Sequence, residues 1–135
     1  MFKTSIRPPT DIVSEFIVLS RDGRLYCMSG YPWDGATWYP DTKSIRRASL
    51  GHDALCQLIR DGLLEAHWLP QVNLDFKAWA LESGIALALR SEPGMIRAAK
   101  KILARAQAET VYLGVKMFSG VAIAISRSRG VLEVP

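Results

Sequence analysis

The sequence predicts a small α+β protein with a single domain, built from three or four helices and a small antiparallel β-hairpin or sheet. The chain has 135 residues, which is the size of one domain with a sizeable core. Near the N-terminus the residue pattern favours a strand hairpin, and downstream the apolar residues recur at the spacing of helices. We expect residues 1–12 to form an extended N-terminal arm and residues 13–135 to form the globular domain.

The hairpin is predicted by two runs of β-branched and aromatic residues, at 15–20 and 25–28. Asp22 and Gly23 lie between the runs, and an Asp-Gly pair in that position is typical of a tight hairpin turn. Two strands alone are unstable in water, so the hairpin must lie on the helices or gain another strand.

An aromatic loop and a central helix follow. Residues 31–40 are dense in aromatic residues and turn formers, and Asp34 with Gly35 predicts a tight turn that presents the Asp34 carboxylate. Asp41 or Thr42 can cap a central helix that runs to about residue 60, where Gly62 lies just beyond the end.

A second helix is predicted over residues 70–83, with Gly84 closing it and Asp75 on a different face from Phe76. The segment 84–90 is apolar and fits either a helix or a loop.

A third helix is predicted to open at residues 91–93, where Ser91 caps it and Pro93 starts it, and to continue from Met95 to residue 118. Its length makes a break near Thr110 possible. Beyond it, the β-branched runs at 121–125 and 131–134 predict two short strands.

The central helix carries one polar anomaly, the adjacent pair His52 and Asp53. His52 shares a helix face with Leu55 and Ile59, because residues three, four and seven positions apart are neighbours there. A buried imidazole without a hydrogen-bond partner costs about 1–3 kcal/mol, so His52 requires one. Asp53 lies about 100° further round the helix and must serve a different purpose.

Charge and cysteine content restrict the partners only weakly. The net charge of +4 permits contact with an acidic partner without requiring it. No nucleic-acid partner is expected, because the aromatic residues cluster with Pro and Asp rather than with Arg and Lys. Cys27 and Cys56 are too few for a disulfide framework and are interpreted as small core residues. No signal peptide or transmembrane segment is expected.

Four short motifs follow one another along the chain. An aromatic-rich loop ends in Pro, a helix carries His-Asp-x-Leu, a second helix carries an Asp followed by an aromatic residue, and a late helix carries Tyr-x-x-Val-Lys-x-Phe. The corresponding residues are Asp34-Gly35-Ala36-Thr37 with Pro40, His52-Asp53-Ala54-Leu55, Asp75 with Trp79, and Tyr112-Leu113-Gly114-Val115-Lys116-Met117-Phe118.

In this order the motifs resemble the domain of unknown function 1353, which is found widely in tailed bacteriophages and prophages. The resemblance covers roughly residues 16–120. Members of that family usually carry Tyr four residues after the His, where this chain has Cys56. The resemblance implies a phage or prophage origin and leaves the activity open.

The helix with His52 and Asp53, together with the next helix, which carries Asp75, is also similar to the helix pair of phospholipase A2. This similarity implies an alternative function, in which the protein is a hydrolase. In that interpretation His52 is the general base for water and Asp75 on the next helix orients it. Asp53 binds calcium, and the loop at Asp34 completes the cation site. A carboxylate that fixes the imidazole tautomer and a hard cation bound by oxygens are physically coherent.

The same residues also allow a purely structural role. His52 can hydrogen-bond Asp75 or Asp34 across the core, and Asp53 or Asp34 can satisfy backbone N–H groups of the aromatic loop. A satisfied polar cluster would then hold the loop against the helix pair.

The preferred interpretation is therefore a phage or prophage protein that works as a virion- or tail-associated assembly component. Its partners would be other phage structural proteins or the protein itself, since aromatic anchors and extended arms suit protein contacts. It would need no cofactor, whereas the hydrolytic alternative would use calcium. We expect synthesis in the host cytoplasm, with the virion as a candidate destination.

Overall fold

The computed structural model describes residues 1–32, 43–90 and 94–133, with side chains for all of these except 43–44 and 118–133. The chain folds as one α+β domain, as predicted. The elements in chain order are β1 (Phe2–Lys3), β2 (Ile12–Val13), β3 (Ile17–Leu19), β4 (Arg24–Cys27), α1 (Lys43–Arg60), a short 3₁₀ helix (Ala66–Trp68), α2 (Leu69–Leu89) and α3 (Met95–Glu133).

The strands form one antiparallel sheet in the order β1-β4-β3-β2. The predicted hairpin is confirmed as β3 and β4, and Gly23 in its turn has a φ of 85°, which favours glycine. The hairpin gains the strands that it needs from its N-terminal side. Phe2 pairs with Leu25 at one edge, and Ile12 pairs with Leu19 at the other. The N-terminal arm thus contributes to the sheet.

Helices α1 and α2 pack antiparallel, and residues 61–68 connect them. Side chains near the middle of α1 contact the first half of α2, and the start of α1 lies beside its second half. The contact is close at Gly51, where an added Cβ would lie 2.7 Å from the Trp79 ring and 3.0 Å from the Phe2 ring. Gly51 therefore lets the helix pair and strand β1 meet.

The predicted end of α2 is wrong, because the helix passes through Gly84 and continues to Leu89. Ala80, Gly84 and Ala88 are all buried and recur every four residues, so they form one face of small side chains. Burial of that face outweighs the low helix propensity of glycine.

The two strands predicted near the C-terminus are also wrong for the residues described, since α3 is continuous from Met95 to Glu133. In residues 121–125 alanine alternates with Val and Ile, which satisfies the two-residue period of a strand. Alanine also has the highest helix propensity, so a helix already formed upstream can continue through the run. Thr110 does not break it either, because its hydroxyl donates to the Ala106 carbonyl oxygen at 2.9 Å.

Several predictions fall on residues outside those described, namely the turn at Asp34, the caps at Asp41 and Thr42, and the start of the third helix at residues 91–93. In the part of the chain that the structure describes, no helix combines the length and apolar character of a membrane span.

Candidate functional site

His52 lies inside the α1–α2 interface, with only 6% of its surface exposed. Its Nε2 atom is 2.9 Å from the side-chain oxygen Oδ1 of Asn73 on α2. Its Nδ1 atom is 3.8 Å from an Asp53 carboxylate oxygen. The ring also packs against Phe76, with 5.1 Å between centroids. Asn73 is therefore the hydrogen-bond partner that a buried His52 requires.

Cys56 lies one helical turn after His52 and contacts the same imidazole. Its sulfur is 3.8 Å from both ring nitrogens. The equal distances place the sulfur beside the imidazole without a preference for either ring nitrogen.

The surroundings of His52 favour its protonated form. Burial by itself lowers the pKa of His52, but the charge interaction with Cys56 and the hydrogen bonds to Asp53, Cys56 and Asn73 outweigh it and raise the pKa to about 10. An imidazolium at neutral pH donates from Nε2 to the Asn73 oxygen. It has no free lone pair with which to act as a general base.

Asp75 does not orient His52, contrary to the hydrolytic prediction and to one form of the structural prediction. Within the described part of the chain, no hydrogen bond joins Asp75 and His52. Asn73 and Asp75 are two residues apart on α2, so they project about 200° apart around the helix. Because His52 contacts Asn73, Asp75 faces away from it.

Asp75 instead holds the N-terminal arm. It is 8% exposed and accepts hydrogen bonds from the Thr4 hydroxyl, from the Ser5 hydroxyl at 2.9 Å and from the Ser5 backbone N–H at 3.2 Å. One turn later, the Trp79 indole N–H donates to the Lys3 carbonyl oxygen at 2.9 Å. We call Asp75, Trp79 and the arm residues Lys3 to Ser5 the arm clamp.

A calcium site with Asp53 and Asp34 as ligands is not assembled by the residues described. Asp53 has a side chain that is 42% exposed and lies beside His52. Asp34 lies outside the described residues. Among those that the structure describes, no three His, Cys, Asp or Glu side chains are grouped as a metal ion requires.

A cavity of about 260 Å³ opens near the end of α1, and its lining includes Phe16, Tyr31 and Gln57 but not His52. Burial is the main cause that raises the pKa of Tyr31 to about 12, and the nearby Asp53 charge adds to it. Tyr31 is therefore a neutral hydroxyl at physiological pH.

Sequence reasoning missed Asn73 and the two hydroxyls of Thr4 and Ser5. Asn73 had a detectable signal, because it lies three residues before Phe76 and shares the face of α2 that meets α1. The hydroxyls had none, because residues more than 70 positions apart meet only through the fold. Cys56 was predicted to be a small core residue, and at 4% exposure it is one.

No family model, no curated protein and no solved structure matches this chain.

Proposed function

We propose that the protein is a non-catalytic component of a bacteriophage or prophage assembly, in which the His52 region and the arm clamp stabilise the fold. The observation that carries the non-catalytic part is the enclosure of His52, Asn73 and Asp75, each at most 8% exposed and each bonded to other protein groups. The phage origin is supported by the order of motifs shared with the domain of unknown function 1353.

A buried polar group that is satisfied by the protein contributes to a specific fold, whereas a catalytic group must reach substrate. The His52 ring is enclosed by Asn73, Cys56 and Phe76. Its raised pKa leaves it protonated at neutral pH, where a general base must be unprotonated. Both properties favour a structural role for this histidine.

The arm clamp supports the same conclusion for the second carboxylate. Asp75 uses both of its oxygens on Thr4 and Ser5 and thereby fixes strand β1 against α2. Arg47 adds to this contact, since its guanidinium lies 4.4 Å from the Phe2 ring centroid. The residues that suggested a hydrolase instead connect the arm, the sheet and the helix pair.

The hydrolytic alternative stays a prediction without a supporting contact. It requires Asp75 to accept from His52, and Asp75 accepts from the arm instead. Its calcium ligand Asp34 lies outside the described residues.

Two substitutions of His52 separate the structural role from catalysis. His52→Ala should lower the free energy of unfolding by about 2–3 kcal/mol, because it removes a charge-assisted hydrogen bond and leaves a cavity. His52→Gln should recover much of that loss, since its amide can still donate to Asn73. The measurements are melting curves and ester or phospholipid hydrolysis with and without calcium.

His67→Gln is the matched control, because the His67 side chain is 62% exposed and pairs with surface Glu65 at 2.9 Å. It should change neither stability nor hydrolysis. Calcium-dependent hydrolysis by the wild type that is lost in a fully folded His52→Gln variant would overturn the non-catalytic proposal.

The assembly part of the proposal has its own test. The protein should copurify with gradient-purified particles from a lysate in which its prophage has been induced. Recovery only in the soluble fraction, with particles of normal composition, would contradict it.

A further inference from the structure

Helix α3 is apolar on two opposite faces. One face carries the buried residues Ala104, Ala108, Val111 and Val115, which pack into the domain. The opposite face is exposed to solvent from Met95 to Met117, the part of α3 whose side chains the structure describes. We call it the outer stripe, and it consists of Met95, Ala99, Ile102, Ala106, Leu113 and Met117.

The exposure of the outer stripe is large for apolar side chains. Met95 is 89% exposed, Ile102 65%, Leu113 55% and Met117 67%. The members are separated by three, four and seven residues, so they form one continuous line along the helix. An exposed apolar patch of this length on a folded protein marks an interaction surface.

We infer that the outer stripe packs antiparallel against the outer stripe of a second copy of this chain, with the two Ala106 residues at the crossing. This inference rests on the assembly role proposed above and names one partner for it. The arrangement is a two-fold symmetric interface, in which the same patch is used by both copies.

Side-chain sizes along the stripe are self-complementary in that arrangement. Centring the pair on Ala106 places Met95 of one copy opposite Met117 of the other, and Ala99 opposite Leu113. Ile102 then faces Thr110, whose hydroxyl already donates within its own helix. Small residues at the centre allow the helices to approach closely, while larger ones fill the space towards the ends.

The charge distribution selects the antiparallel orientation. Within residues 95–117, the length that the outer stripe covers, four cations, Arg97, Lys100, Lys101 and Arg105, precede Ala106, whereas Glu109 and Lys116 are the charged residues that follow it. A parallel pair would place each cationic half beside the other. The antiparallel pair places it beside the nearly neutral half, in which Glu109 pairs with Lys77 of its own copy at 2.5 Å.

The composition of the stripe also favours a second copy over a lipid surface. Its centre is Ala106, and Glu109 and Thr110 lie beside it, none of which contributes much to insertion among acyl chains. At roughly 100 Å² for each large side chain, two copies would bury on the order of 1,000 Å². That area is near the lower limit of specific interfaces and predicts a weak, reversible dimer.

Sedimentation velocity on the full chain tests the inference, over concentrations from about 5 to 500 μM, where weak dimers dissociate. The wild type should shift from monomer to dimer as concentration rises. Ile102→Glu should keep the protein monomeric across that range, with an unchanged circular dichroism spectrum. Leu63→Glu is the matched control, because Leu63 is a 47% exposed leucine in the α1–α2 connection, and its variant should dimerise normally.

Cysteine cross-linking in a Cys27→Ser background tests the orientation. Ala106→Cys should form an intermolecular disulfide, and Met95→Cys should cross-link to Met117→Cys in a mixture but not to itself. Cross-linking of Met95→Cys to itself would show a parallel pair and overturn the inference. A wild type that stays monomeric, or that binds phosphatidylglycerol vesicles as a monomer, would overturn it too, whereas failure to copurify with particles would bear only on the proposed function.

Discussion

The α1–α2 interface and the outer stripe of α3 distribute polar and apolar groups in opposite ways. Inside the helix pair, His52 and Asn73 are buried polar residues that bond each other, and Asp75 is buried beneath the N-terminal arm. On α3, Met95, Ile102 and other large apolar residues face solvent. A satisfied buried polar group is explained by the fold, whereas an exposed apolar stripe is not. The outer stripe of α3 is therefore a stronger indication of function than His52.

The largest effect is expected where the two helices and strand β1 meet. Gly51→Leu should destabilise the protein by about 3 kcal/mol or more, because the new side chain would overlap the rings of Trp79 and Phe2. The measurement is urea unfolding followed by circular dichroism. Gly62→Ala is the control for the loss of a glycine without a steric overlap, since nothing lies within 4 Å of a Cβ at that position. The alanine would be strained there only by the backbone φ of 75°. A Gly51 variant as stable as the wild type would contradict the close packing described here.

Loss of the arm clamp should have the next largest effect. Asp75→Ala removes the acceptor for Thr4 and Ser5, and we expect a loss of about 2–3 kcal/mol in the free energy of unfolding. Asp22→Ala is the matched control, an exposed carboxylate that bonds Ser20 and Arg24 in the hairpin turn, and its effect on stability should be much smaller, because solvent screens exposed pairs.

Amide hydrogen exchange gives the Asp75→Ala prediction a local readout. Exchange at the Thr4 N–H, which donates to the Gly23 carbonyl oxygen at 2.9 Å, should accelerate when strand β1 is released. Unchanged protection at Thr4 together with lost stability would mean that Asp75 acts elsewhere than on the arm.

The pH dependence of stability tests the state of His52. Its pKa is raised from 6.5 to about 10 in the fold, so its contribution is fully present below pH 6.5 and is lost as the pH rises through about 10. Between about pH 7 and 9 the free energy of unfolding should fall by roughly 1 kcal/mol per pH unit. The higher pKa of Tyr31, about 12, keeps that group out of this range.

His52→Gln should flatten the pH dependence, because Gln does not titrate. The measurement is a series of unfolding curves across this pH range for both proteins. Equal slopes would show that His52 is neutral in the fold and would remove one of the arguments against a general base.

The smallest effect is expected on the outer stripe. Leu113→Gln should change the stability of the dilute, monomeric protein by less than about 0.5 kcal/mol, because a 55% exposed leucine has little packing to lose. Val111→Ala, a substitution two residues earlier at a fully buried position, should cost at least 1 kcal/mol. Comparable losses in the two variants would show that the stripe is covered within the monomer.

Local residue patterns were sufficient for several parts of the fold. The Asp22-Gly23 turn predicts the β3–β4 hairpin because only a few backbone conformations close such a turn. Gly62 predicts the end of α1 because its positive φ ends a helix without strain, and the Leu63 N–H then bonds the Leu58 carbonyl oxygen. The burial of His52 also followed from the apolar face that it shares.

Patterns that fit two structures led to the errors. Gly84 has the low helix propensity that is typical of a helix end but lies inside α2, where small residues are buried together. Residues 121–125 fit a strand by period and a helix by their alanines. At both places the neighbouring structure, rather than the segment's own residues, determines that the segment is helical.

The sequence by itself determined that this is a small α+β domain with a buried histidine on its central helix, because turns, caps and apolar periodicity act within a few residues. Only the tertiary structure decided the partners of the polar groups, assigning Asn73 to His52 and the N-terminal arm to Asp75. It also decided which apolar face of α3 is buried and which remains exposed. Hydrogen bonds and burial between distant segments depend on helix rotation and approach, which no local pattern specifies.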